Sequence, residues 1–148
     1  MLDKLNFADK LNEQMILHNL STQELADHIQ VHRVTISALK RGTYLPSTKV
    51  LLALVEYFNC SADYLLGLVE FYMENQTFHS PVKSFGEHFR NILQATKTSQ
   101  YTLTQKYNIS GNLIYQWLND LATPSVANLI KLSKCLDVPV DVLLGRSK

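Results

Sequence analysis

The stretch STQELADHIQVHRVTISALKRG, residues 21–42, decides how this chain is read. Ser21 is a strong helix N-cap, and Glu24 three residues on completes a capping box. Leu25 and Ile29 then share one face, with the small Ala26 beside them. Gln30 and Val31 interrupt the run. The helical period resumes over 32–40, with Val31, Ile36 and Leu39 directed back at the preceding helix. The outward positions are His32, Arg33, Thr35, Ser37, Lys40 and Arg41, so the second helix offers water a polar, cationic face without an acid.

The 148 residues allow one domain or two small ones, and 46% hydrophobic with 18% charged residues is ordinary for a soluble globular chain. No apolar run approaches the ~20 residues that span a bilayer. The start, MLDKLNFADK, is interrupted by acids and does not read as a signal peptide. Cys60 and Cys135 stand in no metal-binding or redox spacing and read as small core residues of a reducing, cytoplasmic compartment. A formal net charge of +1 does not by itself point to nucleic acid. The distribution does. No acid lies between Asp27 and Glu56, whereas Arg33, Lys40, Arg41, Lys49, His28 and His32 all do.

Around this stretch the chain reads as helices throughout. Phe7, Leu11 and Met15 repeat at helical spacing and predict a first helix over about 5–18. Gly42 and Pro46 end the cationic helix. Ser47 opens a fourth with Val50, Leu51, Leu54 and Phe58 buried, and Ser61 a short fifth that closes at Gly67. A shift of 78 positions then lays Phe85 on Phe7, Ser99 on Ser21, Leu103 on Leu25, Ile114 on Ile36, Pro124-Ser125 on Pro46-Ser47 and Leu143-Leu144-Gly145 on Leu65-Leu66-Gly67, with no gap. The matches fall on caps, core positions and punctuation. They predict an all-α protein of two tandem five-helix modules, 1–67 and 85–148. The linker, 68–84, is expected to be partly helical. LVEFYMENQ would extend the fifth helix, and the part from Thr77, with Pro81, would be flexible.

With small Ala26, Ile36 and Leu39, Lys40-Arg41-Gly42 and Pro46-Ser47 in place, the module resembles the phage-repressor and Cro type of helix-turn-helix, the XRE family. The resemblance implies a DNA-binding domain whose second motif helix, 32–41, enters the major groove of double-stranded DNA. It makes His32, Arg33 and Val34, with Ala38 one turn on, the base readers. A guanidinium at Arg33 can bridge O6 and N7 of guanine, and Val34 suits a thymine methyl. Thr22, Thr35, Ser37, Lys40, Arg41 and Thr43 would address phosphates, helped by the backbone N–H groups of Thr22 and Gln23. One residue departs from the pattern. Gln30 stands where the family usually has glycine, in a turn that needs positive φ, so this turn is expected to be strained or differently shaped.

In the second module Ser110 caps the corresponding helix and Trp117 takes the place of Leu39. Gln100, Ser110, Gly111, Asn112, Tyr115 and Gln116 form a second set that could meet DNA, with Asn112 and Gln116 suited to adenine. Its reading helix is degenerate, however: Gly111 replaces Arg33, and Asn119-Asp120 replaces Arg41-Gly42. No phosphate loop, zinc motif or nucleophile elbow is present, so neither an enzyme nor a cofactor is expected. The expected function is a sequence-specific transcriptional regulator, a repressor, acting as a homodimer or through intrachain pairing of the two modules. The alternative is a protein-interaction module, such as an antitoxin or anti-repressor, that holds a protein partner through the second module or the linker.

Overall fold

The structure, a computed structural model, describes residues 2–69 and 78–147. Among these residues it is all-α, with ten helices: α1 Leu2–Leu17, α2 Thr22–Ile29, α3 Arg33–Lys40, α4 Thr48–Phe58, α5 Ala62–Leu65, α6 Phe85–Ala95, α7 Gln100–Gln105, α8 Gly111–Leu118, α9 Val126–Leu136 and α10 Val140–Leu143. The chain divides into two compact units, residues 1–76 and 77–148.

In the first unit the apolar stripes of all five helices meet in one core. Phe7, Leu11, Leu25, Ile36, Leu39, Leu51, Leu54 and Leu65 are wholly buried there. The second unit repeats the arrangement with Phe89, Leu103, Trp117, Leu129, Leu132 and Leu143. Serine opens six of the helices. Ser21, Ser47, Ser61, Ser84, Ser99 and Ser125 each accept a backbone N–H from the first turn through the hydroxyl. Ser110 occupies the same position before α8, but its hydroxyl makes no such bond, so the expected cap at Ser110 is absent.

The turns repeat more strictly than the side chains do. Asn19, Gln30, Gly42, Asn59 and Gly67 have positive φ in the first unit, and Lys97, Asn108, Asp120, Asp137 and Gly145 have it in the second. Each member of the second set lies 78 positions after its counterpart, the same offset that aligns the sequences. Gln30, at φ 59° and ψ 48°, adopts the ordinary left-handed conformation. The turn therefore has the shape glycine would give it, at a local cost of roughly 1–2 kcal/mol for the side chain.

The units differ at their beginnings. Residues 2–6 form the first turn of α1, whereas the corresponding segment of the second unit, which includes Pro81, is not helical. It is nevertheless anchored. His79 N–H donates to the Arg146 carbonyl at 2.8 Å and Val82 N–H to the Leu144 carbonyl at 3.2 Å. Phe78 lies under the Arg146 guanidinium, 4.5 Å from ring centre to Cζ. Arg146 in turn pairs with Asp141 at 2.5 Å, both side chains almost fully buried. Residues 78–84, expected to be flexible, thus belong to the second unit. Gly67, with φ 76°, follows the end of α5, and Leu68 and Val69 do not continue the helix. The rest of that expected extension, 70–76, lies outside the described residues.

One exchange rearranges the helix packing. In the first unit Gly42 lies against α1, where a Cβ would come 2.8 Å from Leu5 Cδ2 and 3.6 Å from Ala8 Cβ. In the second unit the glycine has moved across the contact. Gly86 replaces Ala8, a Cβ there would lie 2.3 Å from the Leu118 carbonyl oxygen, and Asp120 replaces Gly42. The Asp120 carboxylate accepts the Gly86 N–H at 2.9 Å and the Ser84 hydroxyl at 2.8 Å, closing the N-terminus of α6. These bonds, the Gly86 N–H first, hold the Asp120 carboxyl below its ordinary value of 3.8.

Two outcomes follow from this contact. Gly86→Ala forces α6 away from the α8 backbone and should cost the second unit about 1–3 kcal/mol in denaturant unfolding, as overpacking does. Asp120 has a folded pKa below its unfolded one. Its contribution is therefore complete above pH 3.8 and is lost as pH falls through the depressed value. Asp120→Gly, which keeps the left-handed turn, should lower the unfolding midpoint at neutral pH and flatten the acid limb of the stability–pH curve.

Candidate nucleic-acid interface

The first unit fixes α3 from its buried side. Ile36 and Leu39 are wholly buried. Asn12 Nδ2, on α1, donates to the Lys40 carbonyl at 3.0 Å and closes the end of the helix. Thr43 N–H returns to the Ala38 carbonyl at 3.1 Å. At the other end, His32 is the N-cap, and its Nδ1 accepts the Val34 N–H at 3.2 Å. With 100° between successive residues, Arg33, Val34, Ser37, Lys40 and Arg41 fall on the face opposite the core.

On that face His32, Arg33, Val34, Arg41 and Thr43 are exposed, and Thr22, Thr35, Ser37 and Lys40 are half-buried. Ala38 departs from expectation. It is only 5% exposed, so its methyl offers almost no surface of its own on this face. Lys40 Nζ donates to Thr22 Oγ1 at 3.0 Å and brings the start of α2 to the end of α3. A primary ammonium has two further protons to offer.

The capping box at the start of α2 is complete. Glu24 N–H donates to Ser21 Oγ at 3.1 Å, and Ser21 N–H to Glu24 Oε1 at 3.0 Å. These bonds, the Ser21 backbone N–H first, hold the Glu24 carboxyl below its ordinary value. The N–H groups of Thr22 and Gln23 in the same turn remain available, while the Gln23 side chain is held by Asp27 at 2.8 Å. Thr22, Lys40 and this helix terminus thus gather at one end of the exposed face. Arg33 and Arg41 form no ion pair among the described residues, although Glu24 and Asp27 lie on the neighbouring helix.

Sequence reasoning missed one cation. Lys4 Nζ, on α1, lies 3.4 Å from the Thr43 carbonyl, at the edge of this face. Nothing local in the sequence marks it, since only packing across 39 positions brings it there.

In the second unit the equivalent positions are Gln100, Tyr101, Gly111, Asn112, Tyr115, Gln116, Leu118, Asn119 and Leu121. None is charged. Gly111 is exposed, and a Cβ at that site would touch nothing within 4 Å, so packing does not require glycine there. Leu118, in the place of Lys40, is buried. The cations lie to one side. Arg90 and Lys97 line an open groove of about 370 Å³ with Gln94, Ser99, Gln100 and Leu118.

Among the described residues no group of His, Cys, Asp or Glu is placed to hold a metal ion, and no helix is long and apolar enough to cross a membrane.

Comparison with known proteins agrees with this geometry. A family model described as helix-turn-helix matches twice, at residues 11–65 and 89–143, and the two matches are again 78 positions apart. A relative from Methanocaldococcus jannaschii, described as an uncharacterised HTH-type transcriptional regulator, is 38% identical over 55 residues, which are 37% of this chain and 83% of the relative. No solved structure matches the chain. The chain belongs to the XRE-type helix-turn-helix family of DNA-binding regulators and carries its module twice.

Proposed function

We propose that the protein binds a specific duplex DNA site through the first unit and represses a promoter by occupying it. The observation that carries this reading is the acid-free face of α3, with Arg33 and Arg41 exposed and unpaired and Lys40 held beside Thr22 at 3.0 Å. An eight-residue helix is about 12 Å long, a length the major groove accommodates.

In this arrangement Arg33, at the first turn, reaches a guanine edge and Val34 packs on a thymine methyl. His32, whose Nδ1 is occupied by the cap, offers Nε2 outward. Arg41 and Thr43, with Thr35 and Ser37 at the flanks, lie along the phosphates. Thr22, Lys40 and the α2 N-terminus hold one phosphate between them. Gln23 contributes its N–H rather than its amide, which Asp27 holds. The second unit does not read bases in this proposal, because none of the positions equivalent to Arg33, Lys40 and Arg41 carries a charge.

A second reading, a protein-interaction module in which DNA binding is secondary, draws on that same uncharged unit. Salt titration of DNA binding separates the two, since only phosphate contacts release counterions.

A duplex selected from a random pool provides the probe. Arg33→Ala should weaken binding to it by the ~1–3 kcal/mol of one bidentate base contact and relax preference at a single position. Arg41→Ala should weaken selected and unselected duplexes alike and reduce the salt slope by about one. Parental affinity in both variants would remove α3 as the reading helix.

A further inference from the structure

The large apolar side chains exposed in the second unit are not scattered. Among its described residues they are Tyr101, Tyr115 and Leu121, at 75%, 59% and 67% exposure. All three fall on one face, at the positions equivalent to Gln23, Ser37 and Thr43 on the α3 side of the first unit. Between them lie Asn112 and Asn119, polar and exposed. We infer that this face pairs with the same face of a second copy of this chain.

Charge selects the occupant. In a two-fold contact residue i meets j while j meets i, so a face whose charges all share one sign repels itself. The first unit's face, with Arg33, Lys40 and Arg41, cannot pair in this way. The positions of the second unit's face equivalent to Arg33, Lys40 and Arg41 carry no charge, and the carboxylate of the exposed Asp120 is held by Ser84 and Gly86 at the start of α6. Arg90 and Lys97 lie in the groove at its margin, where solvent screens like charges.

Composition points the same way. Tyrosine is enriched, and Lys, Glu and Asp depleted, at the centre of protein interfaces. Two tyrosines and a leucine expose on the order of 400 Å² of side chain per copy. That is about half of the ~800 Å² per partner in a stable complex, and the polar residues around them supply the rest. The contact described is a reversible dimer. It rests on the equivalence of the two units and not on DNA reading by the first.

The test exchanges the face for that of the first unit. The triple variant Tyr101→Gln, Tyr115→Ser, Leu121→Thr places on the second frame residues that its twin already carries at those sites. Sedimentation velocity of the full chain from about 1 to 100 µM should show monomer–dimer exchange, the range expected for a small interface. The triple variant should dimerise at least about tenfold more weakly, with unchanged circular dichroism. Binding to a mixed-sequence duplex too short for two modules should also be unchanged. Arg33→Ala should lose DNA preference and still dimerise, so failure of the DNA reading and failure of the dimer are told apart. A parental chain that stays monomeric throughout, or a triple variant that dimerises as the parent does, overturns the inference. Loss of short-duplex binding in the triple variant, with dimerisation intact, would assign the face to DNA and overturn it too.

Discussion

Apart from α1, with 16 residues, each described helix of these units is too short to be stable alone in water, and each exists because the chain reverses sharply enough to press its apolar stripe on the others. A single residue in the left-handed conformation makes each of these reversals, and five such residues recur in each unit at the same spacing. Glycine would fill these places with least strain, yet asparagine, aspartate, glutamine and lysine hold seven of the ten. Asparagine and aspartate, at five of them, accept the conformation readily, whereas at Gln30 and Lys97 tertiary packing imposes the turn on residues that resist it. The core is what the turns enclose: remove the burial of Leu25, Ile36 and Leu39, and nothing local would keep Gln30 at positive φ.

Given that frame, the two units show how far side chains drift while the backbone stays. Gly42 and Ala8 in one unit, Asp120 and Gly86 in the other, solve the same helix contact in opposite ways. The first leaves room at the turn, and the second lets the helices touch backbone to backbone and uses the carboxylate of the turn residue to close α6. The outward faces have diverged more, because nothing in the core constrains them. A Cβ at Gly111 would meet nothing within 4 Å, and the same frame that presents Arg33 presents bare backbone there.

The family and the all-α fold were legible because they rest on periodic and local signals. Apolar spacing, serine caps and the 78-residue self-match each survive without tertiary information. Which residues share the exposed candidate face was largely legible for the same reason, since helical phase alone puts Arg33 and Ser37 opposite Ile36 and Leu39. What escaped depends on contacts between distant residues. The position of Ala38 in the motif places it among the readers, but its short methyl is almost wholly buried. Lys4 joins the face only through packing. The anchoring of residues 78–84 was hidden because Pro81 and the polar residues around it give a loop signature, while Arg146, Asp141 and Phe78 are far apart in the chain. Ser110 has the right residue for a cap without the bond, which composition alone does not reveal.

The missing Cβ at residue 86 has a bearing on inheritance. Twin segments of one gene can overwrite each other, yet copying the first helix of the leading repeat into the trailing one would set an alanine methyl against the Leu118 carbonyl. Copying the turn after α8 into the leading repeat would likewise carry aspartate into a corner that the end of Leu5 already occupies. An exchange that moves both halves of the contact together avoids the strain of moving either one, so the pair favours repeats that stay distinct and lets each surface specialise.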